Sequence, residues 1–150
     1  MKTEQIKRKL LKNAPDIFKG RKVLFAYLYG SVALDQSHQF SDLDVGAYTQ
    51  KLSLEACRKL ELDLALAIDD RLGDAPESDV RIINHLPLAI TGKIVTDGIL
   101  IYCEDENKRI KYETNTRMAY FDFYPRIRSY QRTYLEQTQV AGKSEEFFSE

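Results

Sequence analysis

The chain has 150 residues, a formal net charge of −1 at pH 7 and 43% hydrophobic residues, which is typical of one globular domain with a single core. The near-neutral charge argues against a protein that holds nucleic acid through bulk electrostatics. The sequence shows no long apolar span, no signal pattern and no metal-type cysteine spacing, so we expect a cytoplasmic protein with reduced thiols.

The first part of the chain is predicted to form a helix, two strands and a short connecting helix. Apolar residues at helical spacing predict an amphipathic helix over residues 3–12, which Pro15 is expected to end. The apolar run 22–29 predicts a strand that is buried on both faces and therefore lies at the centre of its sheet. A short helix over residues 31–36 and a second strand from Asp42 are expected to follow.

A long buried helix is predicted after the second strand. Ser53 is a suitable N-cap, and Gly73 is a suitable residue to end the helix. Leu62 and Leu66 are expected to widen the apolar face. The residues that form this face at helical spacing are Cys57, Leu60, Leu64, Ile68 and Leu72.

The remaining elements alternate between strand and helix. A third strand is predicted over residues 78–84, a helix over 86–96 and a short strand over 99–102. A last helix is predicted over 107–137, with a break or kink at Pro125.

This order of elements predicts an α/β fold, in which helices pack against a small mixed β-sheet and a C-terminal helix follows the core. We expect one domain over residues 1–137 and a mobile acidic tail over residues 138–150.

The stretch between the first two predicted strands carries groups that suit phosphate chemistry. Gly30 lets the backbone approach a ligand closely, and the N–H groups after Ser31 can open a helix that binds phosphate. Asp42 and Asp44 are two residues apart, so on an extended strand both carboxylates point to one face. Phosphate-binding donors beside paired carboxylates indicate metal-dependent phosphoryl or nucleotidyl transfer.

Each part of this stretch also has a plainer structural interpretation when it is taken alone. Gly30 and Ser31 fit an ordinary turn from a strand into a helix, and Asp42 and Asp44 fit the polar entry of a strand. Their combination, at this spacing and between two apolar strands, favours an active site.

The pattern of Gly30-Ser31, ten further residues and Asp42-x-Asp44 resembles the signature of the nucleotidyltransferase superfamily with a polymerase β-type catalytic core. In length and order of elements the chain is most similar to the minimal nucleotidyltransferases, and among them to the MntA-type antitoxins. The resemblance covers roughly residues 1–135.

The resemblance implies a role for each of these residues and for a third carboxylate. Gly30 and Ser31 would hold the β- and γ-phosphates of ATP, and Asp42 and Asp44 would bind Mg²⁺. Asp79, at the start of the third predicted strand, is the best match for the third carboxylate, which would bind metal and accept the proton of the attacking hydroxyl. The structural alternative is that Asp79 caps a turn.

The resemblance also implies a reaction and a partner. The protein would be an antitoxin that transfers AMP from ATP to a tyrosine of a HEPN-domain ribonuclease toxin of the HepT type, with which it forms a hetero-oligomer, and it would contact no nucleic acid directly. One alternative is a binding module that neutralises the toxin by masking it. Another is a small-molecule nucleotidyltransferase of the aminoglycoside type, although such enzymes usually carry an added substrate-binding domain and little chain is left for one here.

Arginines and tyrosines alternate irregularly over residues 109–134. Both residue types are over-represented where proteins touch, so this segment is a candidate partner surface. The plainer interpretation is that the aromatic rings pack on the sheet while the arginines are solvated. His38 and His85 have no spacing that suits zinc or a catalytic triad, and neither is assigned a role.

Overall fold

The computed structural model describes residues 3–34, 42–73 and 76–144, and in these ranges four strands form one sheet and five helices pack around it. None of the described helices combines the length and the apolar character that crossing a bilayer requires. The elements in chain order are α1 (Thr3–Phe18), β1 (Val23–Tyr29), α2 (Gly30–Ala33), β2 (Leu43–Thr49), α3 (Leu54–Leu72), β3 (Ser78–Ile82), α4 (Leu88–Asp97), β4 (Ile99–Cys103) and α5 (Glu106–Ser144).

The sheet is mixed, as predicted, with strand order β3-β2-β1-β4. Strand β1 pairs antiparallel with β2 and β4, while β2 pairs parallel with β3. The prediction that the first strand is central is confirmed, because β1 has a neighbour on each side and its first six residues are buried. This order also brings the end of β1 and the starts of β2 and β3 to one edge of the sheet.

Hydrophobic clusters lie on both faces of the sheet. Leu10 from α1 and Leu64 from α3 are fully buried in the cluster on one face. On the other face Phe25 packs with Ile94 from α4 and with Tyr112 from α5. The sheet is therefore covered by two helices on each face, which makes its strands hydrophobic on both sides.

Helix α1 does not end before Pro15, so that prediction is wrong. The helix continues to Phe18, and the Lys19 N–H donates a hydrogen bond to the Pro15 carbonyl at 3.0 Å. Ile17 and Phe18 are 1% and 0% exposed, which extends the apolar stripe by a further turn. Burying two such side chains is worth several kcal/mol, about as much as an internal proline costs or more.

Helix α3 has the predicted ends but a narrower apolar face than predicted. The Ser53 hydroxyl accepts a hydrogen bond from a first-turn N–H at 3.1 Å, and Gly73 follows the last helical residue with a φ of 66°. Leu62 and Leu66 are 60% and 59% exposed, so the prediction that they widen the buried face is wrong. Each lies two residues from Leu64, which is about 200° around the helix and away from the core.

Helix α5 is longer than predicted and is not broken at Pro125. The residues around Pro125 are exposed, so the carbonyl that loses its helical donor is within reach of water. The helix continues through Ser144, past the predicted end at 137 and into the predicted tail. Residues 145–150 lie outside the described residues, and the division of the chain into a domain and a mobile tail stays a prediction.

We expect Gly92→Ala to destabilise the packing of α4 against α5. A Cβ on Gly92 would overlap the ring of Tyr120, which is 8% exposed. Replacing a helical glycine with alanine normally gains up to about 1 kcal/mol, whereas overpacking costs about 1–3 kcal/mol. Urea denaturation should therefore show a lower free energy of unfolding, and the loss should disappear in a Tyr120→Ala background. An equal loss in both backgrounds would contradict this account of the contact.

Candidate active site

The end of β1 and the start of β2 are packed too closely for any residue but glycine at position 30. Gly30 has a φ of 75°, a backbone conformation that other residues adopt only with strain. A Cβ at this position would overlap Oδ2 of Asp44. The contact arises because Tyr29, the last residue of β1, is the cross-strand partner of Asp44. Gly30 thus begins helix α2 directly beside a carboxylate.

The three predicted acidic residues lie at the same edge of the sheet. Asp44 is paired with Asp79 across the parallel strands β2 and β3, which lie about 4.8 Å apart in such pairs. Asp42 immediately precedes β2 and is exposed, and its two-residue spacing from Asp44 places it on the same face. The structure therefore places Gly30, Asp42, Asp44 and Asp79 at one edge of the sheet, as the sequence pattern predicts for the first three and the family resemblance for Asp79.

The negative charges of Asp42 and Asp79 act on the carboxylate of Asp44. Burial raises the pKa of Asp44 above its ordinary value, and the negative charges of Asp79 and Asp42 raise it further. The positive charge of Arg81 acts in the opposite direction but does not reverse the shift. The positive charge of Arg81 therefore does not neutralise the negative charge at this edge of the sheet, and a bound cation would reduce the repulsion that remains.

Two further residues belong to this cluster and received no role from the sequence. Arg81 lies two residues beyond Asp79 on β3, and its Nε is 3.9 Å from Asp79 Oδ2. Both side chains are about half exposed, so the ion pair is weak and leaves the guanidinium available to other anions. Burial, followed by the charge of Asp44, raises the pKa of Tyr29. The signal for both was strand alternation, which places positions 27 and 29 of β1 on one face and positions 79 and 81 of β3 on one face.

A preformed metal cage is not present in the described part of the chain, where no group of three or more His, Cys, Asp or Glu side chains is arranged closely enough to hold an ion. The carboxylates share one edge but do not converge on one point. Their chemistry nonetheless fits Mg²⁺, which binds carboxylate oxygens and keeps part of its water shell. The roles of Asp42, Asp44 and Asp79 as metal ligands stay predictions. The side chain of Ser31 lies outside what the structure describes.

We expect Asp44→Asn to raise the thermal stability of the protein at neutral pH. Because the pKa of Asp44 is higher in the folded chain than in the unfolded chain, its ionised form destabilises the fold at pH values above that pKa. This destabilisation disappears as the pH falls and the carboxylate becomes protonated, so the advantage of the variant should shrink toward acid. Melting temperatures measured from pH 7 down to about pH 4 will check both the sign and the trend.

The matched control for this measurement is Asp70→Asn on α3, where the carboxylate is exposed. This change should leave the melting temperature nearly unaltered across the same pH range. If both variants gain equally, the gain comes from net charge and not from the cluster at the sheet edge.

Comparison with known proteins gives a family match and several structural matches. The protein-family model described as "Polymerase beta, Nucleotidyltransferase" matches residues 8–107. No curated protein sequence matches the chain. A chain in the crystal structure of a toxin–antitoxin with AMP-PNP superposes with a TM-score of 0.60 at 16% identity, covering 86% of this chain and 98% of that one.

Two other solved structures show the same fold. A chain in the complex of tri-AMPylated Shewanella oneidensis HEPN toxin with MNT antitoxin gives a TM-score of 0.52 at 17% identity. A chain in the crystal structure of the toxin–antitoxin MntA–HepT gives 0.53 at 16% identity. Each match covers 91% of this chain and 98% of the other. At these identities the likeness establishes the fold.

Proposed function

The chain belongs to the polymerase beta nucleotidyltransferase family, and from this premise we propose that it is an antitoxin that transfers AMP from ATP to a tyrosine hydroxyl of a HEPN-type ribonuclease toxin. The observation that carries the proposal is the sheet edge where Gly30 abuts Asp44 and Asp44 pairs with Asp79. Support for the partner comes from the solved toxin–antitoxin complexes that contain chains of the same fold.

The site residues divide into those that would bind phosphate and those that would bind metal. The backbone at Gly30 and the hydroxyl of Ser31 would hold the β- and γ-phosphates, since no Cβ at position 30 obstructs the approach. Asp42, Asp44 and Asp79 would hold Mg²⁺, which supplies positive charge to the triphosphate when it is bound. Arg81, beside Asp79, is placed to contact an anionic group of the substrate.

The proposed reaction needs one base and releases pyrophosphate. Asp79 would accept the proton of the tyrosine hydroxyl, and the phenolic oxygen would form a bond to the α-phosphorus of ATP. The bond from that phosphorus to the bridging oxygen would break, so that pyrophosphate leaves with the electron pair. The product, an adenylylated tyrosine, adds bulk and negative charge to the toxin.

Helix α5 supports contact with a protein partner. One face of its N-terminal half packs on the fold through Tyr112 and Tyr120, while large apolar side chains are exposed along both halves of the helix. Some aromatic rings of the Arg/Tyr segment therefore pack on the fold, and others face solvent. Exposed apolar groups at this density indicate an interaction surface. Among the side chains of α5 that the structure describes, the exposed large apolar ones are Ile110, Met118, Phe121, Phe123, Tyr124, Tyr134 and Leu135.

The second candidate function is an antitoxin that masks the toxin without modifying it. The exposed surface of α5 would serve this function equally well. The spread of the three carboxylates, which form no preformed cage among the described residues, also fits it.

Mass spectrometry of the toxin tests the proposed function. After incubation with this protein, ATP and Mg²⁺, the mass of the toxin should rise by one or more adenylyl units, and fragmentation should place them on tyrosine. EDTA should prevent the change, because the bare carboxylates would repel the triphosphate. An ATP analogue with a methylene group between the α- and β-phosphorus should also prevent it, since its pyrophosphate cannot leave. An unchanged toxin mass with ATP and Mg²⁺ would overturn the proposal.

A further inference from the structure

A cavity of about 520 Å³ lies at the end of the sheet opposite the three carboxylates. Residues that follow β2 and β3 form one wall, and the first turns of α5 form the other. Thr49, which lines it, is five residues from Asp44 along β2, so the two sites are separated by about 17 Å of strand. Its size falls within the range of about 300–1,000 Å³ that small-molecule sites occupy.

The lining of this cavity is strongly basic. Lys51, Lys108 and Lys111 contribute three positive charges, in a chain whose formal net charge is −1. Among the described residues no carboxylate lines the cavity, and none forms an ion pair with these lysines. The nearby Asp105 carboxylate accepts a hydrogen bond from the Lys108 backbone N–H at 3.0 Å, where it caps α5. We name this feature, defined by the three lysines, the basic cavity.

The walls of the basic cavity are held by specific contacts. The Asn84 side chain accepts a hydrogen bond from the Thr49 N–H at 3.0 Å and donates one to the Thr49 carbonyl at 2.8 Å, which ties the ends of β3 and β2 together. The ring of Tyr48 stacks on Phe25 at 4.6 Å and lies 4.8 Å from the ring of Tyr112 on α5. These contacts fix the backbone of β2, β3 and α5 around the cavity, while the lysine side chains that line it can adjust to a ligand.

The basic cavity presents donors to a ligand and lacks acceptors with a full negative charge. Each lysine ammonium group provides three hydrogen-bond donors. The side-chain amide of Asn115, beside Lys111 on the same face of α5, adds a further donor group. The three lysines line one cavity, so an anion held there would be attracted by the charge of each of them. A group with several negative charges in a short span would be attracted most strongly.

We propose that the basic cavity is a second ligand site, which binds a small anion with adjacent phosphate groups, such as a nucleoside polyphosphate or inorganic polyphosphate. The site differs from the carboxylate edge in one testable respect, because lysines bind phosphate directly whereas clustered aspartates need a divalent cation.

Calorimetry with inorganic tripolyphosphate in EDTA and low salt tests this proposal on the whole chain. EDTA keeps the carboxylate edge free of divalent cations, so binding there is suppressed. We expect one tripolyphosphate to bind per chain, with an affinity that falls as salt rises. Lys108→Gln with Lys111→Gln should weaken binding by about tenfold or more, since a hydrogen bond to a charged group is typically worth over 1.4 kcal/mol.

The matched control is Lys9→Gln with Lys12→Gln, which removes the same two charges from exposed positions on α1, on the other face of the sheet. It should bind tripolyphosphate as the native chain does. The proposal is wrong if no binding occurs in EDTA, or if both lysine pairs weaken binding equally.

A single-stranded RNA of increasing length provides the remaining arm of the experiment. If affinity grows steadily with RNA length and exceeds that for tripolyphosphate, the three lysines belong to a nucleic-acid surface and the small-ligand proposal fails. If RNA binds no more tightly than tripolyphosphate, the proposal stands. None of these outcomes depends on adenylyl transfer, so the second site and the proposed function can fail separately.

Discussion

Replacing Asp42 and Asp44 together with asparagine is expected to abolish AMP transfer while the protein remains folded. Asparagine is nearly isosteric with aspartate but carries no charge, so the variant would lose most of its affinity for Mg²⁺ and for the triphosphate it accompanies. Losing this electrostatic stabilisation should slow transfer by about a thousandfold or more. A time course of labelled AMP incorporation into the toxin, with the native chain measured in parallel, gives the two rates.

The fold of the double variant should be intact for a reason that the structure supplies. The pKa of Asp44 is raised by burial and by the charges of Asp79 and Asp42, so removing charge relieves repulsion at this edge. A matched control is Glu55→Gln with Asp70→Asn, two exposed carboxylates on α3, which should transfer AMP at the native rate. Native activity in the Asp42 and Asp44 variant would show that these residues are not the catalytic pair.

Most of the fold was predictable because its signals are local. Strand β1 is an unbroken apolar run, and helix α3 is bounded by Ser53 and Gly73, so type and position follow from a few neighbouring residues. The prediction for the end of α1 was wrong because burial of side chains against distant parts of the chain outweighed the local effect of a proline. Pro15 signals a helix end, but the burial of Phe18 against the sheet keeps α1 helical.

The site was predictable for the residues that are close in sequence. The spacing of Asp42 and Asp44 places them on one face of a strand without knowledge of the fold. The pairing of Asp44 with Asp79 depends on β3 joining β2 in parallel, which periodicity does not specify, and here the family resemblance supplied the assignment. Predicting that Arg81 lies in the site would also have required the parallel pairing of β3 with β2.

The basic cavity could not be predicted from the sequence, because its lysines come from distant parts of the chain. Lys51 lies more than fifty residues from Lys108 and Lys111, and a net charge of −1 conceals their convergence. Only the packing of α5 across the ends of β2 and β3 brings them together. Charge that is balanced over the whole chain can therefore still be strongly unbalanced at one surface.

The two candidate functions, an enzyme that modifies the toxin and a protein that only masks it, predict different amounts of inactivated toxin. The variant Asp79→Ala distinguishes them. An enzyme turns over, so a small amount of this protein with ATP and Mg²⁺ should inactivate a molar excess of toxin, and the toxin should stay inactive after the protein is removed. A mask acts only at equimolar amounts and only while it is bound. Ribonuclease assays over a range of antitoxin-to-toxin ratios measure this difference directly.

Asp79→Ala should eliminate inactivation of excess toxin, because without a base the acceptor hydroxyl, with a pKa near 10, stays almost fully protonated at neutral pH. The variant should still bind the toxin, since the exposed surface of α5 is unchanged by a substitution on β3. Asp97→Ala, at an exposed position on α4, is the control and should inactivate toxin at the native rate. The opposite result would be that Asp79→Ala inhibits the toxin as well as the native chain does, and that both proteins require equimolar amounts but no ATP. In that case the protein is a mask and the proposed transfer is wrong.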